Sequence, residues 1–241
     1  MKKKAILFDL DGTLLPMDQD VFVKYYMKEL GTKGIEWGYD PKELVDAVLY
    51  GTGFMMKNPG GKRNMDVFWD AFSERFPQRG REKILADIPV FDTFYQNEFN
   101  RVKEHCGENP YARPIVEAAR RAFDKVILAT NPLFPRVSTY SRIGWVGLTP
   151  DMFDEVTTYE YYDRCKPSPE YFASILEKHG LRPEECLMIG NDVDEDYYAA
   201  TAIGIDTMLV TDWLINRHDK PLDGIPTCRA CELADILDKM A

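Results

Sequence analysis

The chain lacks any long apolar run. None of its hydrophobic stretches approaches the ~20 residues of a membrane-crossing helix, although 45% of the 241 residues are hydrophobic. The basic start Lys2-Lys3-Lys4 is followed by only Ala5-Ile6-Leu7-Phe8 before Asp9 intervenes, too short for the ~7–15-residue apolar core of a secretory signal. Positive charge is also scarce: 30 Lys and Arg stand against 40 Asp and Glu, a net charge of -10. A surface of that sign repels phosphate backbones and argues against extended nucleic-acid binding. It leaves room for a local basic site for a small anion, whose field acts within a Debye length of ~10 Å. The five cysteines, Cys106, Cys165, Cys186, Cys228 and Cys231, are odd in number and scattered, a poor disulfide framework. Cys228 and Cys231 form a lone CxxC, and only three histidines exist, so reduced thiols are expected rather than a zinc site. Neither internal repeats nor low-complexity segments occur. These absences predict a soluble, cytoplasmic chain with no nucleic-acid or membrane partner; oligomeric state is not encoded in any of them.

What is present is an alternation. Short apolar runs at Lys4–Phe8, Lys125–Ala129, Glu185–Ile189 and Asp206–Val210 each end in a polar turn, and Asp154–Thr158 adds a weaker fifth. Runs of this length read as buried strands. Helix-period segments lie between them: Arg113–Phe123, with Ile115, Val116 and Ala119 on one face, and a segment opened by Ser168-Pro169-Glu170 and closed by Gly180. Buried strands alternating with helices predict an α/β fold, a doubly wound parallel sheet covered on both faces. In such sheets chemistry sits beyond the carboxyl ends of the strands, which here carry Asp9, Asp11, Thr130, Asn131 and Asp192.

The alternation breaks between Pro16 and Pro110, where helices alone are expected: Val21–Leu30, Lys42–Tyr50, Met65–Phe76, Glu82–Asp87 and Thr93–His105. Phe68, Trp69, Phe72, Phe76, Phe94, Tyr95 and Phe99 recur there at helical spacing and read as bundle core rather than a cofactor site. Residues 16–110 are therefore expected to form a helical domain inserted into a sheet domain made of 1–15 and 111–241. Within the insertion, Gly51–Gly53 and Gly60–Gly61 read as flexible connections around Lys57, Lys62 and Arg63.

The strongest chemical signal is Phe8-Asp9-Leu10-Asp11-Gly12-Thr13 directly after a strand. Two carboxylates two residues apart project to the same side of an extended chain. Placed together they repel unless something binds them. Gly12 permits a sharp turn and Thr13 can cap it. With Thr130-Asn131, Lys166-Pro167-Ser168-Pro169 and Gly190-Asn191-Asp192…Asp196, this makes four ordered motifs spread over the chain. In that order they resemble the haloacid dehalogenase superfamily, in particular its phosphatase branch with a helical cap between the first and second motifs.

That resemblance implies the roles. Asp9 would be the nucleophile that forms an aspartyl-phosphate, and Asp11 the acid and base that protonates the leaving oxygen and then activates water. Thr130 and Asn131 would bind the transferring phosphoryl group, and Lys166 would supply positive charge beside it. Magnesium would be held by Asp9, Asp11 and Asp192. The fourth motif admits two registers, one with Asp192 and one with Asn191 in the metal shell; the preference of magnesium for anionic oxygen selects Asp192, leaving Asp196 to orient Lys166 or a metal-bound water. Asp194 and Glu195 read as solvated acids at a helix start. The chain departs from the family pattern at Asp163, where a glycine often precedes the lysine by three residues. The implied function is magnesium-dependent hydrolysis of a small phosphorylated metabolite. Mutase-like, phosphonatase-like or dehalogenase chemistry, or a non-catalytic binding domain, are the alternatives. A halide leaving group needs no proton, so Asp11 argues against the dehalogenase. No residue of the insertion identifies a substrate.

Overall fold

A computed structural model describes residues 3–241. The strands β1 (Ala5–Phe8), β2 (Lys125–Leu128), β3 (Glu155–Val156), β4 (Cys186–Gly190), β5 (Asp206–Val210) and β6 (Thr227–Cys228) form a six-stranded sheet ordered β3-β2-β1-β4-β5-β6. All neighbours pair in parallel, with β1 central: Ala5 faces Lys125 on one side and Cys186 on the other. The five expected strands are present. β6 was not expected; it is two residues long and has no apolar run, so it exists only because β5 offers Leu209 and Val210 as pairing partners.

Side chains of β1 alternate between two apolar layers, as the two-residue strand period requires. Ile6 and Phe8 join a core that includes Ile115, Val116 and Ala119 of α6 (Ala112–Ala122) and Leu233 and Leu237 of α10 (Ala230–Asp238). Ala5 and Leu7 join the opposite layer with Tyr171, Phe172 and Ile175 of α8 (Pro169–His179). Helix α8 ends at Gly180 in the left-handed conformation (φ 62°), the stop expected from sequence. Its Ser168 hydroxyl donates to Glu170 Oε2 (2.5 Å) rather than accepting from the helix backbone.

Between β1 and β2 the chain is helical: α1 (Gln19–Glu36), α2 (Pro41–Met56), α3 (Asn64–Glu74), α4 (Arg81–Ala86), α5 (Ile88–Gln96) and a 3₁₀ segment, Glu98–His105. Asp18 and Asp40 cap α1 and α2 by accepting from backbone N–H groups of their first turns. The single helix expected over Thr93–His105 is two elements that break at Asn97. Phe72, Phe94 and Phe99 are fully buried and Trp69 nearly so, each worth ~1.5–3 kcal/mol or more of transfer free energy. The aromatic core of the insertion is continuous with that of the sheet's α6 face. Where the chain enters and leaves the insertion, the Gly107 N–H donates to the Pro16 carbonyl (2.8 Å) and Asn109 Nδ2 to the Leu14 carbonyl (2.8 Å).

Candidate active site

Asp9 follows β1 directly, and its N–H continues the sheet by donating to the Ile189 carbonyl (2.9 Å). Beyond it the chain turns tightly: Gly12 has φ 88° and its N–H donates to the Leu15 carbonyl (2.7 Å). Lys166, in the loop before α8, is 1% exposed and donates from Nζ to Asp9 Oδ1 (2.8 Å) and Asp196 Oδ1 (2.6 Å). Asp196 is itself held by the Asn191 and Asp192 N–H groups, both donating to Oδ2 (2.9 and 3.0 Å). Burial alone would lower the Lys166 pKa, yet the adjacent Asp196 and Asp9 outweigh it and keep the ammonium charged. Burial pushes the Asp9 carboxyl up to about 8; Lys166 opposes the rise, while Asp196 and Asp11 add to it.

Asp11 is held differently. Arg142 of α7 (Arg136–Trp145) is completely buried and donates from Nη1 to Asp11 Oδ2, with its guanidinium 4.3 Å from the Phe134 ring centroid. Asp11 Oδ1 is buried without a hydrogen-bond partner. Sequence reasoning missed Arg142, which stands in no motif and carries no local signal. The Thr130 carbonyl, at the end of β2, accepts from the Tyr171 hydroxyl (2.9 Å) and from Thr157 Oγ1 (2.5 Å). Asn131 Nδ2 donates to Glu195 Oε2 (3.0 Å) and the Lys166 carbonyl (3.3 Å), leaving its Oδ1 buried and unpartnered. Glu195 is thus not a solvated acid. It faces the same cleft as Asp11 and Asn131, and burial pushes its carboxyl up to about 7.

The fourth motif lies on a wide turn. Val193–Tyr198 is π-helical and runs into α9 (Ala199–Thr201), with the Tyr197 N–H donating to the Asp192 carbonyl five residues back (3.2 Å). Such a turn is one residue wider than an α-helical one. Asp192 Oδ1 accepts from the Asp194 and Glu195 N–H groups (2.8 and 2.9 Å), and Oδ2 lies 4.0 Å from Arg217. Asn191 stands nearer the loop that follows Asp9: Thr13 Oγ1 donates to Asn191 Oδ1 (3.1 Å) and reaches Asp9 Oδ2 (3.3 Å). A Cβ at Gly12 would fall 2.1 Å from Asn191 Nδ2. As the side chains stand, no three His, Cys, Asp or Glu residues among the described ones converge into a metal cage. The donor chemistry nonetheless suits a hard cation, with an unpartnered Asp11 oxygen beside a carboxylate destabilised by its neighbours.

A cleft of about 540 Å³ opens from Asp11, Asn131 and Glu195 toward α1, α2 and α3. The expected flexible connection at Gly51–Gly53 is instead the interior of α2. Gly51 is there because α3 presses on it: an added Cβ would meet the Phe68 ring at 2.7 Å. The loop after α2 does not reach the site. Lys62 pairs with Asp70, Arg63 with Asp66 (2.8 Å), and Gly61 N–H donates to Asp163 Oδ2 (2.7 Å). Asp163, the departure noted in the sequence, thus ties the insertion to the sheet side.

A family model described as haloacid dehalogenase-like hydrolase matches residues 3–204. The chain is 24% identical to a phosphoglycolate phosphatase of Aquifex aeolicus over 98% of this chain and 97% of the relative. It is 26% identical to the pyrimidine 5'-nucleotidase PynA of Streptococcus pneumoniae, with 98% and 95% covered. Its fold is similar to that of the HAD-hydrolase YfnB from Bacillus subtilis, solved with magnesium: TM-score 0.58 at 18% identity, covering 99% of this chain and 100% of that one.

Proposed function

The chain belongs to the haloacid dehalogenase-like hydrolases, and from that premise we propose that it is a magnesium-dependent phosphomonoesterase acting through an aspartyl-phosphate on Asp9. The observation that carries this reading is the buried Lys166, held between Asp9 and Asp196, with Asp11 on the same loop as Asp9. An Asp9 oxygen attacks phosphorus as the bond to the leaving oxygen breaks, and Asp11 gives that oxygen its proton. Asp11 then takes a proton from the water that attacks phosphorus and frees phosphate and Asp9. Lys166 offsets the charge of the phosphoryl oxygens, to which the Thr130 hydroxyl and the Asn131 backbone N–H donate. Bound magnesium supplies the positive charge that lets a carboxylate and a phosphate dianion approach. Asp9, Asp11 and Asp192 would hold it; Asp192 brings the negative charge, although the Asn191 amide lies closer to Thr13 and Asp9.

The helical insertion, residues 16–110, acts in this reading as the domain that covers the strand ends and contacts the leaving group, excluding water from the phosphoenzyme. Phosphatase and nucleotidase names among the relatives support the reaction class. Phosphate release from a panel of phosphomonoesters, with and without magnesium, tests the reading. Asp11→Asn should lose far more activity on alkyl phosphates, whose alkoxides need a proton, than on p-nitrophenyl phosphate. Equal losses on both would remove Asp11 from the acid role.

A further inference from the structure

We infer that the phosphomonoester this site accepts has an uncharged, apolar leaving group, aliphatic or aromatic, rather than a second anion or a polyol. The inference rests on the phosphomonoesterase reading and adds the substrate class. It follows from how the cleft wall is built. Away from Asp11, Asn131 and Glu195, the lining is largely aromatic and aliphatic, including Phe22, Tyr26, Trp69 and Phe134. Large apolar side chains that remain exposed gather at it as well: Val23 at 36%, Leu49 at 48% and Met56 at 47% all line the cleft. Exposed apolar surface concentrated in a concavity marks a binding wall.

The polar tips on that wall are turned onto one another. The Tyr26 and Tyr95 hydroxyls share a hydrogen bond (2.7 Å), and Trp69 Nε1 donates to the Tyr159 hydroxyl (3.4 Å). The Trp69 donor is thereby spent and the tyrosine hydroxyls are partly engaged, so the wall presents mainly ring faces and edges. By contrast, the unpartnered buried oxygens on this lining, Asp11 Oδ1 and Asn131 Oδ1, stand at the reacting end. Charge points the same way. Asp11, Asp20, Asp92 and Glu195 line the cleft against only Lys24 and Arg217. Arg217 is engaged by Gln19 and lies 4.0 Å from Asp192, and Lys24 is an exposed residue with its ammonium 5.7 Å from the Tyr25 ring centroid. A leaving group with a carboxylate or second phosphate would meet more acids than cations on this lining, with Lys24 at the exposed edge and Arg217 shared with Gln19 and Asp192.

The volume of about 540 Å³ is in the range of pockets for drug-sized ligands. The test is kcat/KM over straight-chain alkyl phosphates from ethyl to octyl and 3-phenylpropyl phosphate, whose leaving alcohols differ little in acidity. Phosphoglycolate, glucose 6-phosphate and phosphocholine are run beside them, and acetyl phosphate serves as a substrate that needs no cleft contact. Each buried methylene should raise kcat/KM about fourfold, and 3-phenylpropyl phosphate should exceed phosphoglycolate and glucose 6-phosphate by at least about a hundredfold. Met56→Lys, at an exposed wall position, should flatten the chain-length series. A flat series in the parent enzyme, or preference for phosphoglycolate, glucose 6-phosphate or phosphocholine, overturns the inference while acetyl phosphate turnover leaves the phosphatase reading standing. Failure to hydrolyse acetyl phosphate as well overturns both.

Discussion

Asp9 is under two opposing demands: as the proposed nucleophile it would have to be ionised to attack phosphorus, yet it is buried beside other carboxylates. Its carboxyl is pushed up to about 8 by burial, with Asp196 and Asp11 adding to the effect against Lys166. An acid raised on folding keeps its proton in the folded chain after the unfolded chain has lost it. Between the ordinary carboxylate range and about 8 the folded state therefore binds more protons, and stability falls as pH rises through that window. Asp9→Asn should abolish turnover and also stabilise the metal-free protein at about pH 8, raising the thermal midpoint by at least about 2–4 °C, the shift expected for one kcal/mol at this length. Little change is expected near pH 4. A melting series on both proteins without metal checks this; an unchanged or lower midpoint at pH 8 would contradict it. The proposed metal ligands make a second prediction. Asp192→Ala should raise the magnesium needed for half-maximal activity much more than Asn191→Ala, and a magnesium titration with the opposite ranking would move the ligand to Asn191. At this scale the sequence was informative wherever a motif fixed spacing, as with Asp9, Asp11, Lys166 and Asp196. It was silent on Arg142 and misread Glu195. Both are placed by contacts more than sixty residues away in the chain, with Asp11 and Asn131.

Elements were legible where burial is two-sided. β1, β2, β4 and β5 are flanked by strands and covered by helices, so their sequences are nearly continuous apolar runs. β6 has no such run, and tertiary pairing alone makes it a strand. The reverse error occurred in α2, where Gly51-Thr52-Gly53 reads as a loop but is helical. Close packing against Phe68 explains the first glycine, whereas an added Cβ at Gly53 would meet nothing within 4 Å. The two positions should therefore respond oppositely. Gly51→Val should destabilise by ~1–3 kcal/mol through overpacking, while Gly53→Ala should gain up to ~1 kcal/mol of helix stability. Chemical denaturation of the two variants measures both. If Gly53→Ala instead cost activity with stability unchanged, α2 would be acting as a hinge after all.

At the scale of the whole molecule, the residues proposed to carry phosphoryl transfer all come from the ends of sheet strands and the loops beside them, outside the helical insertion. The insertion shares one apolar core with the sheet's α6 face, joins it where Gly107 meets Pro16, and is tied again where Gly61 meets Asp163. The break in the strand–helix alternation made this layout readable, because a run of helices cannot continue a parallel sheet. The insertion's cleft was not readable, since the same aromatic periodicity serves a bundle core and a binding wall. The central claim is that Asp9 becomes covalently phosphorylated. Mass spectrometry of acid-quenched protein, taken within one turnover of adding acetyl phosphate and magnesium, tests it most directly. The account predicts one phosphoryl group on the peptide containing Asp9, absent in Asp9→Asn and without magnesium; turnover with no phosphoryl group on that peptide, or an Asp9→Asn variant that still turns over, would contradict it.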